Sequence, residues 1–351
     1  MKKIFFSIEK DGFYGTYYEN PHGSDCTVLG LFGDDPNDYM AKCGVKWLHK
    51  NGVNALCMSP GKKNYSHINM PLERYAAAIA WLKAHGTRKI GVMGMSTAGM
   101  DSLAAASYFP DITLTFGLTA SDFIWQGFEQ GKKDGCGEWP VPGASTLSWK
   151  GEPLPYMPFV YQHPEYWNKV QEETKGSGDF MRTTCLFIDS EKAREHSEDE
   201  MIKVENIHGK LFLIGADDDS FWEAGKYVRR MDERLKTRPH NCEYEALAYE
   251  HGTHFVLPES LLQKYIRLKR IKRNGKAAKR DVRLVEGDVL QLYINDEFFE
   301  KPTEHNAWLK IATPRLDIVY EDENILLADK KPGVLCHSAG EWSWDTLISN
   351  I

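Results

Sequence analysis

Residues 89–103 read KIGVMGMSTAGMDSL, and the fold turns on how the middle of this stretch is read. "KIGVMG" is apolar and β-rich, while "AGMDSLAAASYF", a few residues on, is built largely of good helix formers. Between them stands Ser96, with Gly94, Ala98 and Gly99 around it. A sharp strand-to-helix turn demands small neighbours, because its backbone passes close to an adjacent strand. Ser96 is therefore expected at the carboxyl end of a central strand, where open α/β sheets form their binding crevices.

The flanking sequence repeats the same alternation. Upstream, "CTVLGLFGDD" and "VNALCMSP" read as strands, with the helical spacing of "PNDYMAKCGVKWLHKNG" between them and "PLERYAAAIAWLKAHG" after the second. Downstream, "ITLTFGLTAS" and "KLFLIGADD" are further apolar strands. Strands that are apolar throughout are buried on both faces, so the fold class is α/β with a mostly parallel sheet. The alternation lapses over residues 121–205, an aromatic-rich insertion holding Phe123, Trp125, Phe128, Trp139, Trp149, Phe159 and Tyr166 among others. It reads either as a cap whose rings line an apolar pocket or as a self-packed unit without substrate contact.

Composition sets the outer limits. An apolar share of 42% and a charged share of 26% are those of a globular chain, and no apolar run approaches the ~20 residues of a membrane span. Glu9, Lys10 and Asp11 interrupt the start before a signal-peptide core could form, so the chain is expected to be cytoplasmic, with no membrane partner. Seven dispersed cysteines without a C-x-x-C pair fit reduced thiols better than a disulfide frame or a zinc site. The net charge of −7 hides an asymmetry: residues 264–283 carry +9, leaving −16 on the remainder. A basic segment of that density fits either a polyanion-binding appendage or a solvated face.

A hydroxyl is a weak nucleophile until a base takes its proton. In the nucleophile elbow of α/β-hydrolases the serine is followed in chain order by an acid and then a histidine. "KLFLIGADDDSFW" supplies the acid and "ALAYEHGTHFVLPES" the histidine. Asp218 and His254 are the expected partners of Ser96, with Asp219 and His251 in reserve. The backbone amides of Thr97 and of Asp34, beside Gly33, are the expected oxyanion donors. Such a site calls on no metal and no cofactor.

Five blocks, "TVLGLFGDD", "PLERYAAAIAWLKAHG", "IGVMGMSTAGMDSLAAA", "KLFLIGADDDSFW" and "YEHGTHFVLP", together resemble the C-terminal domain of the acyl-CoA thioester hydrolases and bile acid-CoA:amino acid N-acyltransferases, α/β-hydrolases related to dienelactone hydrolase. The resemblance spans residues 25–258. It implies an α/β-hydrolase fold, a triad of Ser96, Asp218 and His254, and an acyl thioester or related carboxylic ester as substrate. In that family a cysteine nucleophile goes with acyl transfer, so a serine implies hydrolysis. One departure is local: Ala98 stands where the family has the first of a glycine pair.

Residues 264–299 and 316–338 resemble a different family, the start of an RluA-type RNA pseudouridine synthase with part of its RNA-binding motif. Lys264, Arg267, Lys269, Arg270, Lys272, Arg273 and Lys276 are then candidate RNA contacts, acting on phosphates through counterion release. The catalytic aspartate of that family would lie beyond Ile351, so no pseudouridine formation is expected. The expected division is a hydrolase domain over 1–260 and a small α+β appendage over 261–351, a fusion or a truncated reading frame. The rival to a serine hydrolase is an RNA-binding protein with a non-catalytic hydrolase part.

Overall fold

The structure is a computed structural model and describes residues 3–32, 35–61, 65–130, 138–177, 181–250, 252, 254, 271–277, 287, 289–292, 317–321 and 326–329. The chain forms two compact units, Met1–Val256 and Leu257–Ile351.

In the first unit eight strands make one sheet: β1 (Lys3–Phe6), β2 (Tyr14–Tyr18), β3 (Cys26–Leu31), β4 (Asn54–Ser59), β5 (Lys89–Met95), β6 (Ile112–Leu118), β7 (His208–Ala216) and β8 (Asn241–Tyr249). Their spatial order is β1-β2-β4-β3-β5-β6-β7-β8. β2 pairs antiparallel with β1 and with β4, and every other pairing is parallel. Strands β3 to β7 are those read from the apolar runs; β8 at one edge and the antiparallel β1 and β2 at the other extend the sheet beyond them.

Helices fill the crossovers: α1 (Tyr39–Lys50), α2 (Glu73–Ala84), α3 (Thr97–Tyr108) and, between β7 and β8, α6 (Ala224–Thr237). The Asp38 side chain caps α1 by accepting the Ala41 amide at 2.8 Å. Burial on both faces follows the two-residue period of the strands. Val28, Ala55, Cys57 and Met93 pack with Ala41, Val45 and Leu48 of α1. Their neighbours Leu29, Leu56 and Val92 belong instead to the core shared with α2 and α3. α6 buries Tyr227, Val228, Met231 and Leu235, a stripe at three- and four-residue spacing.

The insertion occupies residues 119–207, between β6 and β7. It holds a hairpin of Gln126–Gln130 with Glu138–Ser145, then α4 (Glu165–Thr174) and α5 (Thr184–Ala193). It folds back on the segment before α2, where Leu147–Trp149 pairs in parallel with Met70–Pro71 and residues 67 and 128 form a bridge. There His67 donates toward the carboxylate of Asp101 on α3 at 2.7 Å, with both side chains fully buried. Of the two readings of the aromatic run, the self-packed one describes Phe123, Trp125, Phe128, Phe159 and Tyr166, all of which are buried. Trp125 stacks on Phe159 at 5.2 Å, and Phe187 meets both Trp125 and Trp222 edge-on. These rings belong to the same core that underlies the sheet.

Charge ties the insertion to α6. Arg230 donates to Asp122 at 2.6 and 2.5 Å and to Glu191 at 2.7 Å, with its guanidinium over the rings of Phe123 and Tyr227. Burial pushes the Asp122 carboxyl up, against the pull of Arg230. One turn along, the buried Arg234 holds Glu205 and Glu198, and Arg238 reaches both acids. Hydrogen bonds from Arg234, and then from Lys203 and Arg238, hold the Glu198 carboxyl down at about 2.

In the second unit, Ile271–Arg273 pairs antiparallel with Lys276–Ala277 and with Leu290–Leu292. Asn274 and Gly275 both take positive φ, 51° and 77°, the signature of the type I′ turn that an Asn-Gly pair favours. Asp317–Glu321 and Leu326–Asp329 form a separate antiparallel pair.

Two stability tests follow from the ion clusters. Arg230→Met strands the buried Asp122 carboxylate and is expected to cost about 3–5 kcal/mol in urea unfolding, part of it recovered on adding Asp122→Asn. Because the folded state depresses Glu198, its stabilisation is complete above the usual glutamate value of 4.5 and is lost as pH falls through about 2. Glu198→Gln should therefore flatten the fall of Tm with pH across that window, and less so in high salt.

Candidate active site

β5 ends at Met95, and the next residue, Ser96, takes φ 60° and ψ −130° before α3 begins. A non-glycine residue in that region carries about 1–3 kcal/mol of strain and persists only where its surroundings fix it. Two contacts do so. The Ser96 amide donates to the Leu118 carbonyl at the end of β6 at 2.9 Å, and its own carbonyl accepts the Met100 amide at 3.0 Å. The glycines around it are needed in different degrees. A Cβ at Gly94 would lie 2.0 Å from the Ala98 carbonyl oxygen, inside the elbow itself, whereas at Gly99 it would meet Ala120 and the Leu118 oxygen at 3.0 Å. Ala98 is buried at this turn with its methyl accommodated, so the departure from the glycine pattern leaves the elbow intact.

The histidine follows β8, the edge strand of the sheet. His254 is buried, and its Nδ1 lies 2.7 and 2.9 Å from the two carboxylate oxygens of Asp219. Asp219 Oδ1 also accepts the Phe221 amide at 2.8 Å, and the Asp219 side chain is 0% exposed. Asp218, the acid preferred from the sequence, is exposed and is not the carboxylate on Nδ1. The correction has a simple physical origin. β7 stops at Ala216, Asp217 turns outward to pair with Arg229 on α6, and only the third acid of the run is carried beneath the loop to the imidazole. An ionised carboxylate only accepts, so Nδ1 carries the proton and Nε2 is the basic nitrogen of the neutral ring.

Thr119, which the sequence reading passed over, connects the two halves. It is the first residue after β6 and has φ 42°. Its amide donates to Ile214 of β7 at 2.7 Å, its hydroxyl to the His254 carbonyl at 3.0 Å, and its carbonyl accepts the Trp222 indole at 2.8 Å. The neighbouring Leu118 carbonyl is the one that holds Ser96. Serine and histidine are thus tied to consecutive residues at one strand end. Among the described residues, the aromatic neighbours of His254 are Phe221, stacked on it at 4.4 Å and 16°, and Trp222, inclined at 70° with ring centres 6.0 Å apart.

Thr97, the first residue of α3, follows Ser96 directly at a helix amino terminus, where amide groups point toward developing negative charge. Gly33, Asp34 and His251 lie outside the described residues, as do Lys264, Arg267, Lys269 and Arg270. Lys272, Arg273 and Lys276 stand on the small antiparallel sheet of the second unit. Among the described residues no helix is long and apolar enough to cross a membrane.

Comparison with known proteins gives the lineage. Residues 70–260 match the family described as BAAT / Acyl-CoA thioester hydrolase C terminal, a span that includes Ser96, Asp219 and His254 and leaves 261–351 outside. No curated protein matches the chain. Solved structures similar to it include an esterase of Pyrococcus furiosus, at 17% identity and TM-score 0.40, covering 71% of this chain and 86% of that one. Est1E from Butyrivibrio proteoclasticus is similar at 12% identity and TM-score 0.37, covering 72% and 90%. The esterase domain of a Rhodothermus marinus protein is similar at 13% identity and TM-score 0.38, covering 72% and 89%. With a family match across just over half its length and an eight-stranded, mostly parallel sheet bearing a serine elbow, the chain belongs to the BAAT / acyl-CoA thioester hydrolase C-terminal family of α/β-hydrolases.

Proposed function

We propose that the chain is a serine hydrolase of acyl thioesters of the acyl-CoA type, or of related carboxylic esters, with Ser96, His254 and Asp219 as its triad. The observation that carries this reading is the buried His254–Asp219 pair, anchored through Thr119 beside the carbonyl that holds the strained Ser96. The family match supports the thioester class.

His254 Nε2 takes the Ser96 proton as Oγ attacks the acyl carbonyl, while Asp219 steadies the imidazolium through Nδ1–H. Negative charge gathers on the carbonyl oxygen at the amino terminus of α3, where the Thr97 amide is the donor on hand. Collapse of that intermediate releases the thiol or alcohol, which leaves with the proton from Nε2, and an acyl-serine remains. Water then attacks, gives its proton to His254, and the carboxylic acid departs as Ser96 recovers its proton.

Reaction with a fluorophosphonate tests the assignment, because it needs an activated serine and no knowledge of the acyl group. Wild type should be labelled, and Ser96→Ala should not. His254→Ala and Asp219→Asn should react about 10⁴-fold more slowly. Asp218→Asn should stay within about twofold of wild type, since that carboxylate is exposed and away from Nδ1. Labelling that survives Ser96→Ala, or an Asp218 variant as slow as the Asp219 variant, would sink the assignment. A panel of acyl-CoAs and oxygen esters, run on unlabelled enzyme, then separates the two substrate classes by kcat/KM.

A further inference from the structure

We infer that Phe221 is a positioning residue for the reaction, its ring acting through His254 to favour the imidazolium over the neutral imidazole. The inference rests on the serine-hydrolase reading and adds to it a group that acts through the histidine.

The geometry is specific. The Phe221 ring lies nearly parallel to the His254 ring, 16° between planes and 4.4 Å between centres. Two flat rings stacked face to face gain little electrostatically while both are neutral, because the negative faces of their π-systems oppose each other. When one becomes a cation the same arrangement turns attractive, and more so where water is excluded, as it is around the 4% exposed His254. In the proposed reaction His254 becomes a cation as it takes the serine proton. A contact that strengthens at that moment lowers the barrier, whereas one of equal strength in both states would not.

Nor is the ring where it is by slack packing. The Phe221 amide donates to Asp219 Oδ1 at 2.8 Å, and its carbonyl accepts the Thr183 hydroxyl at 2.6 Å. The turn that aims the acid at Nδ1 therefore also sets the phenyl over the imidazole face. One short segment, residues 219–221, supplies both the in-plane carboxylate and the out-of-plane π-face. Trp222 is inclined at 70° to the imidazole and its indole N–H is committed to Thr119, so it offers no second parallel face.

The test changes the charge of the ring face without changing its shape. Phenylalanine analogues with one, two, three and five ring fluorines are introduced at position 221 of the full chain by nonsense suppression, alongside Phe221→Tyr and Phe221→Leu. The fluorophosphonate labelling rate of each is measured on protein whose melting temperature matches wild type. The rate should fall stepwise with fluorination, by about two- to thirtyfold across the series, the range of a buried cation–π contact. Phe221→Tyr should stay near wild type and Phe221→Leu should fall to the level of the most fluorinated ring. A flat series on a labelled enzyme would overturn the role of Phe221 and leave the triad standing. Failure of folded wild type to label at all would overturn both readings together.

Discussion

Everything at the site depends on one peptide, the end of β6 where Leu118 passes into Thr119. Its backbone and one hydroxyl receive Ser96, His254, β7 and Trp222 within two residues. Ser96 sits in a backbone conformation that costs free energy, and the cost is offset because its amide has a fixed partner and its carbonyl starts a helix. His254 lies 158 positions further along the chain. Holding both to adjacent residues of a central strand removes the freedom that a loop-borne histidine would otherwise have to lose as the substrate reacts.

That dependence explains what could be read beforehand. The elbow is a local pattern, since strand, small residues, serine and helix all fall within fifteen residues, and both the fold class and the place of Ser96 at a strand-to-helix turn followed from it. The Asn274–Gly275 turn is of the same local kind, because the positive φ that its two central residues take is one that Asn and Gly adopt readily. Which carboxylate meets His254 was not legible to the residue. Asp217, Asp218 and Asp219 are chemically identical in sequence, and only the path of the chain after Ala216 decides which is turned outward to Arg229 and which is buried under the imidazole. The hairpin of β1 and β2 escaped because two strands of four and five residues carry little periodic signal. Thr119 and Phe221 escaped because their importance is entirely tertiary.

The aromatic run shows why composition alone misleads about pockets. Rings concentrated in an insertion fit a cap over an apolar substrate, yet an insertion of this size must also bury a core of its own, and large rings are an efficient way to do it. Here Trp125, Phe159 and Phe187 satisfy one another and merge with the core under the sheet. The insertion is then held at several points. Asp122 near its start and Glu191, Glu198 and Glu205 toward its end meet Arg230 and Arg234 on α6. Elsewhere, His67 and Asp101 join α3 to the segment on which the insertion's strands dock.

These attachments make the insertion part of the frame that holds the His254–Asp219 pair. Thr183 and Thr184, at the start of α5, bond to the carbonyls of Ser220 and Phe221. Those residues follow Asp219 directly, so the acid loop is clamped between β7 on one side and the insertion on the other. A shift of α5 would move the carboxylate and the phenyl ring together, because the same three-residue turn carries both. The precision of the His254 environment is therefore set by how well the aromatic core of the insertion packs. Substitutions in that core that leave the sheet intact would reach His254 through residues 219–221, by a route of hydrogen bonds and ring contacts.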